Sequence, residues 1–101
     1  MITLERAKNL DILRVYLLYL RSFPASERKP FSKIVSMAKE GRTDLWIIRK
    51  DGRFAGFAST VNSPELVLLD YFAVCRSLRG QGVGSAGLRA ILERYAPRGV
   101  L

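Results

Sequence analysis

A glycine-rich segment, Arg79–Ser85, limits the possible folds of this chain more than any other feature of its sequence. An apolar run, Leu66–Val74, precedes it, and a segment with helical character follows from about Gly82 to Tyr95. Glycines at alternate positions leave backbone N–H groups uncovered where a strand turns into a helix, and the helix dipole favours negative charge there. With the positive charge of Arg79 at its mouth, the segment predicts a site that captures a phosphate or a pyrophosphate.

Two familiar phosphate-binding loops do not fit this segment. A Walker A loop requires Lys followed by Ser or Thr after its last glycine, whereas Gly84 is followed by Ser-Ala and no Lys occurs after Lys50. The residues Gly82–Gly87 do match G-x-G-x-x-G, but a dinucleotide-binding strand runs directly into the first glycine, and an acidic residue follows about 20 residues on. Here the apolar run ends at Val74, well before the glycines, and that distance reaches past Leu101.

A third pattern fits. Arg79-x-x-Gly82-x-Gly84 resembles the Q/R-x-x-G-x-G/A signature of the GNAT superfamily of acetyl-CoA-dependent N-acetyltransferases, and the apolar run before it looks like that family's fourth strand. The resemblance is strong over Leu66–Tyr95 and is looser, but consistent in element order, over Ile2–Val61. It implies direct transfer of an acetyl group from acetyl-CoA to a primary amine on a small molecule or a peptide, without a covalent enzyme intermediate.

Composition restricts the alternatives. The chain has 101 residues, 49% of them hydrophobic and 26% charged, as expected for one globular domain. No apolar run approaches ~18 residues, so no membrane span is expected, and no secretory signal is recognised. Because Cys75 is the only cysteine and histidine is absent, an internal disulfide, a His/Cys metal site and a Ser-His-Asp triad are excluded within the chain. A reducing cytoplasm is the expected location.

Two amphipathic helices are predicted in the first half of the chain, after a short strand at Ile2–Glu5. The first is capped near Asn9, and leucines at helical spacing mark its apolar face: Leu10, Leu13, Leu17 and Leu20. The second begins near Pro30 and ends near Gly41, with one apolar face made by Phe31, Ile34, Val35 and Ala38.

A run of antiparallel strands is predicted next. Leu45–Ile48 is a strand core, Asp51-Gly52 is a two-residue hairpin signal, and Phe54–Val61 returns with a bulge or thin spot at Gly56. The apolar run Leu66–Val74 reads as a strand covered on both faces. The expected fold class is α/β in layers over residues 1–101, with the order β-α-α-β-β-β-α around a mostly antiparallel sheet, and Val100-Leu101 would start another strand.

The resemblance also implies which residues hold the cofactor. The family's fourth strand carries a bulge where the cofactor bonds to the main chain, so the pantetheine arm would contact Phe72, Ala73 and Val74. One of their N–H groups would polarise the thioester carbonyl, and such a donor is worth ~3 kcal/mol in the transition state. The pyrophosphate would lie on the glycine-rich segment, which consists of Arg79, Gly80, Gln81, Gly82, Val83, Gly84 and Ser85.

Candidates for acceptor binding and for proton transfer follow. By the same resemblance the loop between the first two helices borders the acceptor, which makes Phe23, Glu27 and Arg28 candidate contacts; an ordinary solvated loop is the alternative. Asp70 shares strand parity with Phe72 and Val74, so its side chain is predicted on their face, where it would act as a base through a water. A salt-bridged or exposed carboxylate is the alternative for Asp70.

Two further side chains are weaker candidates. Glu65 is a second, poorer choice for the base. Cys75 is interpreted as structural rather than nucleophilic, because only Arg76 stands beside it to lower the pKa of the thiol.

The sequence departs from the family after its last predicted helix. The family continues with a fifth strand, another helix and a final hairpin, so the fold is expected to be incomplete on its C-terminal side. The edge of Leu66–Val74 would then be open and prone to self-association, for example as a homodimer. A non-catalytic module that binds coenzyme A or a partner chain is therefore the second hypothesis.

A small nucleic-acid-binding domain is the third hypothesis, suggested by the net charge of +8. It ranks below the others because the basic residues form neither one run nor one helical stripe with interleaved aromatics.

Overall fold

The computed structural model describes all 101 residues, Met1–Leu101, as one five-stranded sheet with helices on both faces. The strands are β1 (Ile2–Arg6), β2 (Thr43–Lys50), β3 (Arg53–Asn62), β4 (Leu66–Val74) and β5 (Gly99–Val100). The helices are α1 (Ile12–Ser22), α2 (Phe31–Lys39) and α3 (Val83–Tyr95). The predicted fold class and element order are confirmed, and the last strand is short. None of the three helices has the length and apolar character needed to cross a membrane.

The sheet has the order β1-β2-β3-β4-β5, antiparallel up to β4. The predicted hairpin between β2 and β3 is confirmed, because Asp51 and Gly52 have φ values of 51° and 83°, as a type I′ turn requires. The sheet separates two layers of core. Ile47 faces α1 and α2, whereas its neighbours Trp46 and Ile48 face α3.

Two bulges interrupt the pairing of β3. Ile48 pairs with Gly56 and Arg49 with Phe54, so one extra residue lies beside the predicted thin spot at Gly56. On the other side, Ser59 pairs with Tyr71 and Thr60 with Leu69, which leaves Asp70 as an extra residue in β4. Such a bulge bends its strand and changes the direction of the side chains that follow it.

Helix α1 buries a different face from the predicted one. Val15, Leu18 and Tyr19 pack on the sheet with exposed fractions of 0%, 8% and 1%. The leucine stripe faces solvent, with exposed fractions of 92% for Leu10, 65% for Leu13, 41% for Leu17 and 36% for Leu20. The prediction was wrong because α1 has apolar residues on two faces, and helical spacing alone does not say which face meets the sheet.

Helix α2 confirms its prediction. Ile34 is buried, and Phe31 and Ala38 pack against the same cluster of core residues. Gly41 follows the helix with φ 80°, the left-handed conformation in which helices commonly end.

Strand β5 covers only the first part of β4. It pairs in parallel with Leu66 and Val67, and the Leu69 N–H donates to the main-chain oxygen of Leu101 over 2.8 Å. The strand predicted to begin at Val100-Leu101 is thus present, but it begins one residue earlier, at Gly99. Beyond this contact, the second half of β4 has no partner strand on that side, so an open edge runs from the bulge at Asp70 to Val74.

Candidate functional site

The glycine-rich segment forms the connection between β4 and α3. A short 3₁₀ turn, Arg76–Leu78, follows β4, and α3 begins at Val83 with Gly82 as its N-cap. Gly80 and Gly82 both have φ 80°, a left-handed conformation that residues with a Cβ rarely adopt. The glycines therefore determine the path of this connection, as the sequence predicted.

The backbone N–H groups of this connection are free. From Gly80 to Ser85, none donates a hydrogen bond within the protein, and the first helical bond runs from the Ala86 N–H to the Gly82 oxygen at 3.0 Å. No acidic residue occurs between Asp70 and Glu93. A row of uncommitted amides at the positive end of a helix dipole, without a nearby carboxylate in sequence, suits an anion.

Two positively charged side chains lie at this connection. The Arg79 Nε donates to the main-chain oxygen of Val74 over 3.1 Å, and Arg79 is largely exposed. Lys50, at the end of β2, donates from Nζ to Gln81 Oε1 over 2.9 Å. Sequence reasoning missed Lys50, because the pairing of β2 with β3 and of β3 with β4 brings it to the loop, and nothing near Lys50 in sequence signals that.

The open edge of β4 presents two main-chain donors. The Cys75 N–H donates to the Ala55 oxygen over 2.8 Å, so the main chain of Cys75 faces β3. Because N–H groups alternate in direction along a strand, Ala73 also faces β3, and the N–H groups of Phe72 and Val74 point to the open edge. Of the three residues named as cofactor contacts, only these two present main-chain groups there.

Asp70 forms an ion pair with Lys29, whose Nζ lies 2.6 Å from Oδ2 of the carboxylate. Lys29 belongs to the loop between α1 and α2, whereas the Phe72 and Val74 side chains pack toward α3. The predicted shared face for Asp70, Phe72 and Val74 is wrong, because the bulge at Asp70 resets the alternation. The geometry of Asp70 is that of the alternative, a salt-bridged acid. Its other carboxylate oxygen, Oδ1, has no hydrogen-bond partner within the protein.

The loop between α1 and α2 is fixed to β4 by Tyr71. The Tyr71 hydroxyl donates to the Glu27 main-chain oxygen over 2.8 Å and accepts from the Lys29 N–H at 3.0 Å. The Phe23 ring packs against the Tyr71 ring with centroids 4.9 Å apart. The candidate acceptor residues therefore gather near the bulge: Phe23 half-buried, Glu27 exposed, and Arg28 beside a small cavity.

Tyr19, in α1, also holds the loop between α1 and α2 through a hydrogen bond. Its hydroxyl donates to the Lys29 main-chain oxygen over 2.6 Å. Burial raises the pKa of Tyr19 above its usual value, and the neighbouring Tyr71 hydroxyl acts in the same direction. Tyr19 therefore keeps its proton and serves as a donor in this network.

Cys75, at the end of β4, does not have the environment of a reactive thiol. Burial raises the pKa of the Cys75 thiol, and its Sγ lies 4.0 Å from the Phe54 main-chain oxygen. A raised pKa keeps the group protonated and weakly nucleophilic at neutral pH, in keeping with the structural role expected from the sequence.

A buried polar network holds the far end of α3. The Tyr95 hydroxyl donates to Asp44 Oδ2 over 2.5 Å and accepts from Trp46 Nε1 at 2.8 Å, with Thr60 Oγ1 at 2.6 Å. The network fixes the C-terminal end of α3 against β2 and β3, and it thereby positions the N-terminal end next to β4. Sequence reasoning missed it, because its members are far apart in the chain.

The comparisons with known proteins concern the family and the fold of the chain. The model of the acetyltransferase (GNAT) family matches residues 12–101. A GNAT-family structure from Bacteroides thetaiotaomicron is similar with a TM-score of 0.85 at 22% identity, over 97% of this chain and 57% of that one. The ribosomal-protein-S18-alanine N-acetyltransferase from Escherichia coli gives 0.74 at 24% identity, over 93% of this chain and 59% of that one.

A predicted acetyltransferase with acetyl-CoA from Clostridium acetobutylicum gives a TM-score of 0.68 at 13% identity, over 100% of this chain and 80% of that one. These identities lie below 25%, so the likeness concerns the fold. The chain spans 57% and 59% of the lengths of the Bacteroides and Escherichia structures. Among curated proteins, no match is found.

Proposed function

The chain belongs to the GNAT family of acetyltransferases, and on that premise we propose that it carries the acetyl-CoA-binding half of an N-acetyltransferase site acting on a primary amine. The observation that supports this most is the row of free N–H groups from Gly80 to Ser85 at the start of α3. The acetyl-CoA in the Clostridium structure supports the choice of cofactor, and the name of the Escherichia enzyme supports an amine acceptor.

The first step of the proposal is capture of the cofactor's diphosphate. The amides of Gly80–Ser85 would donate to its oxygens, and the guanidinium of Arg79 would lie beside them. The Arg79 Nε is already engaged with Val74, so four of the five guanidinium N–H donors remain for phosphate. Lys50 adds a second positive charge through its contact with Gln81. The chemistry of this donor set fits a diphosphate.

The second step is orientation of the thioester. When bound, acetyl-CoA would supply an activated acetyl group to the amine, with the thiolate of coenzyme A as the leaving group. The N–H groups of Phe72 and Val74 line the open edge of β4, and either can donate to the thioester oxygen as negative charge develops there. One such donor contributes about 3 kcal/mol to the stability of the transition state. A Cβ at Gly56 would lie 2.2 Å from the Ala73 oxygen, so a glycine there keeps this stretch of β4 close to β3.

The proposal also requires removal of a proton from the acceptor's ammonium group before attack, because an ammonium nitrogen has no lone pair. Asp70 stands at the bulge, beside the loop that contains Phe23, Glu27 and Arg28, and its Oδ1 has no protein partner. We propose that Oδ1 takes the proton through a water, while Lys29 holds Oδ2 in place. Such a group typically contributes 10²- to 10⁴-fold to a rate.

Two measurements test the proposed function. Calorimetric titration with acetyl-CoA should show binding, and no binding at millimolar cofactor would contradict the proposal. Release of free thiol, followed over a panel of small amines and peptides, reports turnover. Binding without turnover on any amine would favour the alternative of a non-catalytic module that binds coenzyme A.

A further inference from the structure

A cationic groove of about 870 Å³ lies between α1 and the turn that follows β4. Every charged side chain in its lining is an arginine: Arg14, Arg21, Arg76 and Arg79. Between them the wall is apolar, with Leu17, Leu18 and Phe54. The groove thus combines a hydrophobic floor with positive charge on both sides.

The charges of this groove are only partly balanced within the protein, since Arg14 lies near enough to Asp11 to help lower the pKa of that carboxyl. None of Arg14, Arg21 and Arg76 forms an ion pair, although other cations of the chain, such as Arg6, Lys29 and Arg49, each pair with a carboxylate. Arg79 bonds only the Val74 main-chain oxygen within the protein, and it is shared with the loop proposed to hold the diphosphate. No carboxylate lines the groove. Like charges that face each other across a cleft favour an anionic occupant.

Helix α1 exposes an apolar stripe next to the groove. Leu13, Leu17 and Leu20 are 65%, 41% and 36% exposed, and Tyr16 beside them is 38% exposed. Leu17 belongs both to this stripe and to the groove. Contiguous exposed apolar side chains rimmed by charge mark interaction surfaces more often than isolated ones do.

We infer that α1 and this groove form a docking surface for an acidic amphipathic helix of a partner protein. The leucines would contact the apolar face of that helix, and its carboxylates would pair with the arginines at the rim. Arg14 and Arg21 are two helical turns apart, about 10 Å, which is the spacing of carboxylates seven residues apart on a partner helix. Recognition of an amphipathic helix by an apolar surface with complementary charge is a recurring mode of binding.

The observations favour this occupant over two others. A second copy of this chain would bring its own Arg14 and Arg21 against those of the first copy, and α1 contains no acidic residue from Ile12 to Ser22. Single-stranded nucleic acid is typically bound by aromatic stacking platforms together with positive charge, but Phe54, half-buried, is the groove's only aromatic side chain. An acidic helix satisfies both the charge and the aliphatic surface.

Fluorescence anisotropy with the whole chain tests the inference. The probe is a fluorescein-labelled synthetic helix of about 18 residues, with leucines on one face and glutamates beside them, long enough to cover α1. A peptide of the same composition with its leucine positions shuffled is the matched probe. We expect the ordered peptide to bind at least tenfold more tightly than the shuffled one, and its binding to weaken as salt is raised.

Paired variants locate the binding surface. R14E with R21E should weaken binding of the ordered peptide about tenfold or more, and so should L13Q with L17Q. The matched controls R89E and L88Q, on the solvent side of α3, should leave it unchanged; Arg89 is exposed, and Leu88 is 40% exposed, close to the 41% of Leu17. Circular dichroism melts of all variants should be superimposable with the parent, since the substituted side chains are at least partly exposed.

Three results would overturn the inference. The ordered and shuffled peptides could bind equally. A fluorescein-labelled single-stranded RNA could bind more tightly than the ordered peptide, which would assign the groove to nucleic acid. Sedimentation could show self-association that L13Q with L17Q abolishes, which would assign the surface to a second copy of the chain. None of these results depends on acetyl-CoA binding.

Discussion

The Nε atom of Arg79 donates to the main-chain oxygen of Val74 over 3.1 Å, so the arginine of the glycine-rich segment is tied to the last residue of β4. One donor of the guanidinium thus fixes the loop relative to the strand, and the others remain available to an anion. The two parts of the proposed site, the strand edge and the loop, are therefore held in register by the side chain that also supplies the charge.

Replacing Arg79 by lysine keeps the charge and removes the fork of donors. Because an ammonium group cannot bond both Val74 and a phosphate with the same geometry, we expect R79K to raise the Kd for acetyl-CoA about tenfold, a loss of about 1.4 kcal/mol. Calorimetric titration measures it, with R89K, on the surface of α3, as the control. An unchanged Kd in R79K would mean that Arg79 serves only as a surface charge.

A pair of glycine substitutions separates backbone strain from loss of the binding site. Gly82 and Gly41 both have φ 80°, and a Cβ at either position would meet nothing within 4 Å. G82A and G41A should therefore lower the free energy of unfolding by similar amounts, about 1 kcal/mol each. Only G82A should abolish binding of acetyl-CoA, because its methyl group distorts the row of amides. Equal cofactor affinity in the two variants would remove the glycine-rich segment from the proposed site.

The role of Asp70 can be distinguished from that of its ion pair. D70N should lower kcat/KM by 10²- to 10⁴-fold if the carboxylate is the base. K29Q breaks the same ion pair but leaves the carboxylate, so it should lower kcat/KM much less than D70N does. Should D70N and K29Q reduce the rate equally, the ion pair would be a loop anchor, and the proton would go elsewhere.

The sequence was sufficient to predict those elements whose conformation depends on a few adjacent residues. The hairpin at Asp51-Gly52 and the start of α3 after Gly82 follow from backbone preferences of a few adjacent residues, and both were predicted. The face of Asp70 was not, because it depends on a one-residue shift in the pairing of β3 with β4, and side-chain alternation is read only within an unbroken strand.

Contacts between residues far apart in the chain explain the other features that the sequence did not predict. Leucine spacing placed the wrong face of α1 on the sheet, because the choice depends on Tyr19 fitting beneath Lys29 and against Tyr71, which lie 10 and 52 residues away in the chain. The network of Asp44, Trp46 and Tyr95 is another case, since its members meet only after the sheet forms.

Removal of the Tyr95 hydroxyl tests that network. Y95F leaves Trp46 Nε1 and the buried Thr60 hydroxyl without this partner, so we expect a loss of about 1–3 kcal/mol in the free energy of unfolding by urea denaturation. Y16F is the matched control, because Tyr16 is 38% exposed and its hydroxyl makes no hydrogen bond within the protein, and it should change stability by less than about 0.5 kcal/mol. A loss in Y16F as large as that in Y95F would contradict this account.

The same network predicts that the stability of the fold depends on pH. Burial of Asp44 opposes its ionisation, but hydrogen bonds from Tyr95, Arg6 and Asn62 outweigh this and hold the pKa of the carboxyl below its usual value. A depressed pKa in the folded state adds stability that is present above about pH 4 and is lost as the pH falls through the folded-state pKa. D44N should therefore be less stable at pH 7 and should lose less further stability on acidification. Parallel pH profiles for D44N and the parent would exclude this contribution.

The most direct test of the proposed site is a ¹⁵N–¹H NMR titration of the chain with acetyl-CoA. If the diphosphate lies on the free amides, the largest shifts should occur at Gly80–Ser85, with a second group at Phe72 and Val74, and few at α2. Saturating binding that leaves Gly80–Ser85 unshifted, or the absence of any shift at millimolar acetyl-CoA, would contradict the account.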